Sequence, residues 1–428
     1  MSITPDFDLP DDPEGGLKGL LTKTIAFIGP GLFVLGYTIG TGSVTTMATS
    51  GAAYGMTLTW AVALSCLFTF FLIVGISRLT IVRDQPFISA VRDRFGRTLA
   101  LFLVVSLMLT VVTSVMGISA IVGEAVQAWT QVLGIGEAGV PSLVIGFILA
   151  GLLYALFWTG SHGLFLKAAA VVVGIMGACF ILTTLIIVSQ PQAILESLPP
   201  AIPPGNEGHL ILAGMVGTTM ASVVIVARSY LVDAQGWRMA DLKTERRDAA
   251  LSLFLTFVVS AAIMASAAGT MFPAGLRVES AIDMVQTIEP LAGDFAAGIF
   301  VVGLVAAGLS SLFPGYVLGP WLLLDYLDQP RDLTKTWVRV FVLVIAAMGL
   351  VVPLFGGRPV VIMIASQAVS PVVMPLMIGI ILYMLNTKHA ETYRNARWLN
   401  AGLVVALLFS LFVSYSAMVG LVDFIASM

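Results

Sequence analysis

Predominantly apolar runs of about 20 residues or more, long enough to cross a bilayer as helices, recur along almost the whole of this sequence. They lie at roughly 24–47, 57–79, 98–131, 140–159, 164–189, 209–234, 249–272, 294–325, 336–355, 359–385 and 398–426. In lipid a spanning segment must satisfy its own backbone hydrogen bonds, which such runs do as helices. The sequence therefore predicts an all-α integral membrane protein with 11 transmembrane helices. Composition agrees: 58% of residues are hydrophobic and 11% charged, against roughly a quarter charged in soluble proteins.

The basic residues set an orientation. Of the 21 Lys and Arg residues, all but Arg277 and Arg358 fall on one side of the predicted spans. By the positive-inside rule this predicts a multi-pass protein of the plasma (inner) membrane, with a cytoplasmic N-terminus and an external C-terminus. The net charge of −3 offers no basic surface for nucleic acid. Cys66 and Cys179 lie inside apolar runs and frame neither a disulfide scaffold nor a zinc site. No cleavable signal is legible, and residues 1–17, with five acidic residues among prolines, read as a disordered acidic tail. Residues 18–428 read as one transmembrane domain.

Two runs are written to break. The first carries Gly36-Tyr37-Thr38-Ile39-Gly40-Thr41-Gly42-Ser43 near its middle, and the sixth carries Gly217-Thr218-Thr219-Met220-Ala221-Ser222. Glycine-interrupted spans in corresponding positions of two halves point to a substrate site between inverted repeats. Close helix packing through small residues is the competing reading. The proline-containing connection 190–208 separates five spans, about 24–189, from five more in opposite orientation, about 209–385. An extra helix, about 398–426, follows.

Several stretches carry a family resemblance. Span 1 reads Gly29-Pro30-Gly31, then Gly40-Thr41-Gly42-Ser43, then Ser50-Gly51-Ala52; span 8 reads Val302 through Ser311, with Ala307-Gly308-Leu309-Ser310-Ser311; span 10 reads Ser366-Gln367, then Met374-Pro375-Leu376. In this order they resemble the NRAMP divalent-metal transporters. The resemblance implies the amino acid/polyamine/organocation (LeuT-like) fold, a 5+5 inverted repeat with helices 1 and 6 broken, and transport by alternating access. The family's metal ligands do not carry over. Its metal-binding Asp falls on Gly40, its Pro on Thr41, its Asn on Ser43, its Met on Ala221 and its His on Val223. Met220 replaces the Met only if the unwound segment shifts by one residue. The family's proton-handling acids fall on Ser114 and Gly117.

These residues give the candidate substrate site as Gly40, Thr41, Gly42, Ser43, Thr218, Thr219, Ala221, Ser222 and Gln367, with no resident metal and no cofactor. A site without acid or sulfur donors is a poor host for a naked dication. The leading expectation is therefore a small anion or carboxylate-bearing solute, held by helix N-termini near Ser43 and Ser222 and helped by Arg228. The alternative is a hydrated divalent cation, Mg or Mn, as the family implies. Arg228 either faces the pathway or snorkels to the interface beside Asp233. Glu124 is either a proton or cation handler or an outer-end salt bridge. Ser366, Gln367 and Ser370 line the site or hydrogen-bond between helices. No nucleophile, base and orienting set appears at useful spacing, so a non-enzymatic protein is expected.

Overall fold

The computed structural model describes residues 40–159, 174, 177–182, 184–185, 199–287, 296–387 and 395–426. All regular structure among them is helical. The expected first span before Gly40, the expected acidic tail and most of 164–189 lie outside the described residues.

The first described helix, α1 (Thr41–Tyr54), starts after Gly40 and ends at Gly55, whose φ of 60° suits glycine. It is buried from Thr41 to Ala53, as expected of a helix hydrophobic or small on every face. A turn leads into α2 (Thr59–Arg83), the short α3 (Phe87–Phe95), the long α4 (Arg97–Val132) and α5 (Ser142–Thr159). The second half begins with α6 (Gly205–Thr219) and α7 (Ser222–Ala234), and continues with α8 (Leu242–Thr270) and α9 (Ala296–Tyr326). It closes with α10 (Thr336–Met348), α11 (Val351–Phe355), α12 (Pro359–Ala368), α13 (Ser370–Leu385) and α14 (Arg397–Ala426).

Among the described residues, 7 helical segments are long and apolar enough to cross a membrane, with shorter apolar helices at Ser142–Trp158 and Thr336–Met348. Helix α4 shows why sequence periodicity produces this bundle. Leu103, Leu107 and Val111 repeat every four residues and are buried, while Phe102, Val105 and Leu109 on the other face are 56%, 59% and 55% exposed. One stripe packs on protein and the other meets lipid. The segment Gly205–Ala234, by contrast, is buried throughout its apolar window. It packs on α2, α12 and α14, with α8 crossing α1 and α2 nearby, and α9 lying along α4.

Two boundaries differ from the sequence reading. The seventh span was expected to start at 249, after a charged stretch, yet α8 begins at Leu242 and carries Glu245 and Asp248 inside the fold. Arg228 on α7 pairs with both carboxylates, so burying them is tolerated. Helix α3 was not foreseen. Its Phe87, Ile88 and Val91 are buried while Arg92, Asp93 and Arg94 follow immediately, and nine residues with that charge load fall below any span criterion.

Candidate functional site

The sixth span breaks over two residues. Helix α6 ends at Thr219, Met220 (φ −92°, ψ 48°) and Ala221 (φ −68°, ψ 118°) leave helical geometry, and α7 resumes at Ser222. The break thus falls inside the expected stretch Gly217–Ser222, toward its end, and Gly217 and Thr218 are helical. Gly217 instead permits contact, since a Cβ there would lie 2.0 Å from the Gln367 carbonyl oxygen. On the other side Pro371 has no N–H to offer that carbonyl, and α12 gives way to α13 at Val369.

Opposite the break, α1 starts at Gly40. The two meet around a cavity of about 30 Å3 lined by Gly40, Gly42, Ser43, Ser114, Ile118, Thr218, Ala221, Ser311, Met363 and Gln367. Gln367 donates through Nε2 to Ser114 Oγ (3.4 Å) and Ser366 Oγ (3.3 Å), which leaves its amide oxygen as an acceptor. Thr218 donates its hydroxyl to the Met215 carbonyl (2.9 Å) and keeps oxygen lone pairs. Ser311 Oγ is buried with no hydrogen-bond partner among the described residues. The residue types are oxygen donors in a neutral setting, plus one thioether.

Of the residues singled out from sequence, Gly40, Gly42, Ser43, Thr218, Ala221, Gln367 and Ser114 line this cavity. Thr41, Thr219 and Ser222 do not. Thr41 donates to the Leu304 carbonyl at 3.3 Å; Thr219 donates to Met215 O, and its own carbonyl accepts from Thr69. The amide of Ser222 donates to Ser370 Oγ at 2.8 Å, and Ser370 donates in turn to Ser222 Oγ at 3.0 Å. Glu124 accepts the Ala281 amide at 2.8 Å and so ties the connection before α9 to α4, away from the cavity. Sequence reasoning missed Ile118, Ser311 and Met363. Met363 had a signal, because it precedes Gln367 by four residues and therefore shares its helix face.

Two supports of the anion reading fall here. Arg228 is fully buried and contacts Asp248 Oδ2 at 3.0 Å and Glu245 Oε1 at 3.4 Å, with Ser77 donating to Glu245 at 2.9 Å. Its charge is neutralised by two carboxylates and its side chain faces α8. The snorkelling alternative beside Asp233 is corrected as well, since Asp233 pairs with Arg331. The first amide of α7, the other proposed anion donor, is capped by Ser370. The amides at the start of α1 and the carbonyl end of α6 face the same space, so helix dipoles alone select no sign.

The end of the bundle where α7 finishes is tied shut. Ser229 Oγ accepts the Phe87 amide (2.9 Å) and bonds Thr80 Oγ1 (2.8 Å). Arg331 reaches Asp233, Ser89 reaches Asp325, and Arg92 reaches Asp328 (3.3 Å) and the Tyr326 carbonyl (3.1 Å). These contacts join α2, α3 and α7 to the end of α9 and the loop after it.

Known structures share this fold. The Eremococcus coleocola manganese transporter superposes with a TM-score of 0.68 at 18% identity, covering 98% of this chain and 90% of that one. MhsT, solved with L-phenylalanine, gives 0.62 at 14% identity over 91% and 98%. The fold is that of LeuT-like membrane transporters. In sequence, the divalent metal cation transporter MntH of Pectobacterium carotovorum is 27% identical over 401 residues, 90% of this chain and 93% of that protein. A family profile described as natural resistance-associated macrophage protein-like matches residues 31–420, and the chain belongs to that family.

Proposed function

We propose that this protein carries a divalent metal cation across the membrane, bound with part of its water shell in the cavity between α1 and the α6–α7 break. The observation that carries the reading is the size and chemistry of that cavity. Its volume of about 30 Å3 compares with the roughly 10–15 Å3 needed per water. That suits an ion with one or two waters. Neutral hydroxyl, amide and backbone oxygens line it beside one thioether, and divalent ions take neutral oxygen ligands when waters complete the shell. The similarity to proteins named as manganese and divalent metal cation transporters supports the same reading.

Flux into proteoliposomes tests it. Saturable Mn uptake that Cd inhibits and organic carboxylates do not is the expected result; uptake of an amino acid or other carboxylate without any divalent flux would reject the proposal. Ser43→Ala, Thr218→Ala and Gln367→Ala are each expected to reduce divalent flux by about threefold to tenfold, the effect of losing one neutral ligand interaction of roughly 1 kcal/mol. Indifference of flux to all three would count heavily against this cavity as the site.

The tied end of the bundle carries the basic residues that the positive-inside rule assigns to the cytoplasm, and we assign it the role of inner gate. Removing the largely buried Arg331–Asp233 pair, whose side chains are 25% and 24% exposed, by Arg331→Ala takes away about 1 kcal/mol or more, a shift of about fivefold or more toward the inward-open form. A cysteine placed at Ala221, with Cys66 and Cys179 replaced by serine, reports this through its reaction with an impermeant thiol reagent from the inner side.

A further inference from the structure

Resting on the divalent-cation reading, we propose that Met363 is a sulfur ligand for the transported ion and biases the site toward borderline and soft transition dications over Mg and Ca. The soft donor then comes from α12, not from the α6–α7 break, where Ala221 stands.

Met363 is fully buried and lines the cavity. A Cβ added to Gly42 on α1 would lie 2.8 Å from its Cε, and one added to Gly117 on α4 would lie 2.9 Å from its Sδ. The thioether thus occupies the gap between two helices that both carry glycine where they face it. Any side chain at either position would push it away. Beside it stands Gln367, one turn along the same face of α12. One helix therefore brings a thioether and an amide to the cavity wall, with the Met363 methyl toward Gly42 and its sulfur toward Gly117, and the Ser114 and Ser366 hydroxyls hold that amide in place. Ser43, Thr218 and Ser311 supply hydroxyl oxygens from three other helices. A mixed set of one thioether and several neutral oxygens is a weak host for hard ions. Mg and Ca gain nothing from sulfur, whereas softer ions such as Cd, and borderline ones such as Fe and Co, do. The flexible, unbranched methionine side chain can also swing between packing and ligation without moving the backbone.

The test uses the full-length protein in detergent, titrated calorimetrically with Cd, Mn and Mg salts, in wild type, Met363→Leu and Met374→Leu. Leucine keeps the volume of methionine closely enough to preserve packing, and Met374 is buried outside the cavity lining. Met363→Leu is expected to weaken Cd binding by about tenfold or more, to weaken Mn less, and to leave Mg within about twofold; Met374→Leu should change none of them. In the wild-type protein the 113Cd resonance should lie downfield of its position with oxygen ligands alone, a readout that needs no variant to fold. Unchanged Cd affinity in Met363→Leu, or an oxygen-only 113Cd shift, would overturn the ligand role while leaving divalent transport standing. Absence of saturable binding by all three ions would overturn both.

Discussion

Arg228→Ala is expected to destabilise the folded protein by about 3–5 kcal/mol, the cost of leaving buried partners of an ion pair without their counter-charge. Arg228 is completely buried in α7, and its guanidinium is the bridge between Glu245 and Asp248 on α8. Ser77 offers Glu245 one hydrogen bond, far short of replacing a cation. The loss should appear as a large fall in the unfolding midpoint in detergent, measured by denaturant or heat. Converting the cluster to neutral groups, Arg228→Met with Glu245→Gln and Asp248→Asn, should recover most of it, since a buried pair is weak evidence for stability in itself and what hurts is the orphaned charge. A single variant within about 1 kcal/mol of wild type would mean the carboxylates find another partner, and the pairing described above would lose its structural importance.

Gly217→Ala should separate transport from folding. Alanine in place of glycine inside a helix is ordinarily favourable by about 1 kcal/mol. Here the added methyl would meet the Gln367 carbonyl oxygen at 2.0 Å, its carbon at 2.8 Å and Pro371 Cδ at 3.1 Å. Backbone and a proline ring cannot rotate away, so α6 and α12 must part. Overpacking of this kind costs about 1–3 kcal/mol, and steric strain outweighs the propensity gain. Because Thr218 on α6 and Met363 and Gln367 on α12 all line the cavity, parting the two helices displaces them together and should lower divalent flux by about a hundredfold, more than the loss of any one of them, as a misplacement of about 1 Å does at a preorganised site. Flux in proteoliposomes that matches wild type, with the protein folded, would show that the contact does not position Gln367.

Much of this architecture was legible in the sequence because hydropathy is local. The lengths of α2, α4 and α14 follow from residue order alone, whereas which apolar stripe of α4 packs on protein does not, since Leu103, Leu107 and Val111 are no more apolar than the exposed Phe102, Val105 and Leu109. The resemblance of Ala307 through Ser311 and of Ser366-Gln367 to one family needs no coordinates either. The seventh span shows the limit: Glu245 and Asp248 look like the end of a membrane segment until Arg228, 17 and 20 residues earlier in the chain, is found beside them. Gly217 shows it again, since the break falls three residues later in the same stretch and the glycine itself serves as a contact point with Gln367.

The sequence by itself determined that this chain spans a membrane as helices and that its sixth span breaks within Gly217–Ser222. Only the tertiary structure decided which hydroxyls face the cavity, that Arg228 is neutralised away from it, and that a methionine from α12 enters it. Spans follow from transfer free energies that add residue by residue, whereas a binding site depends on the direction in which side chains leave several crossing helices, and that is set by packing between segments far apart in the chain.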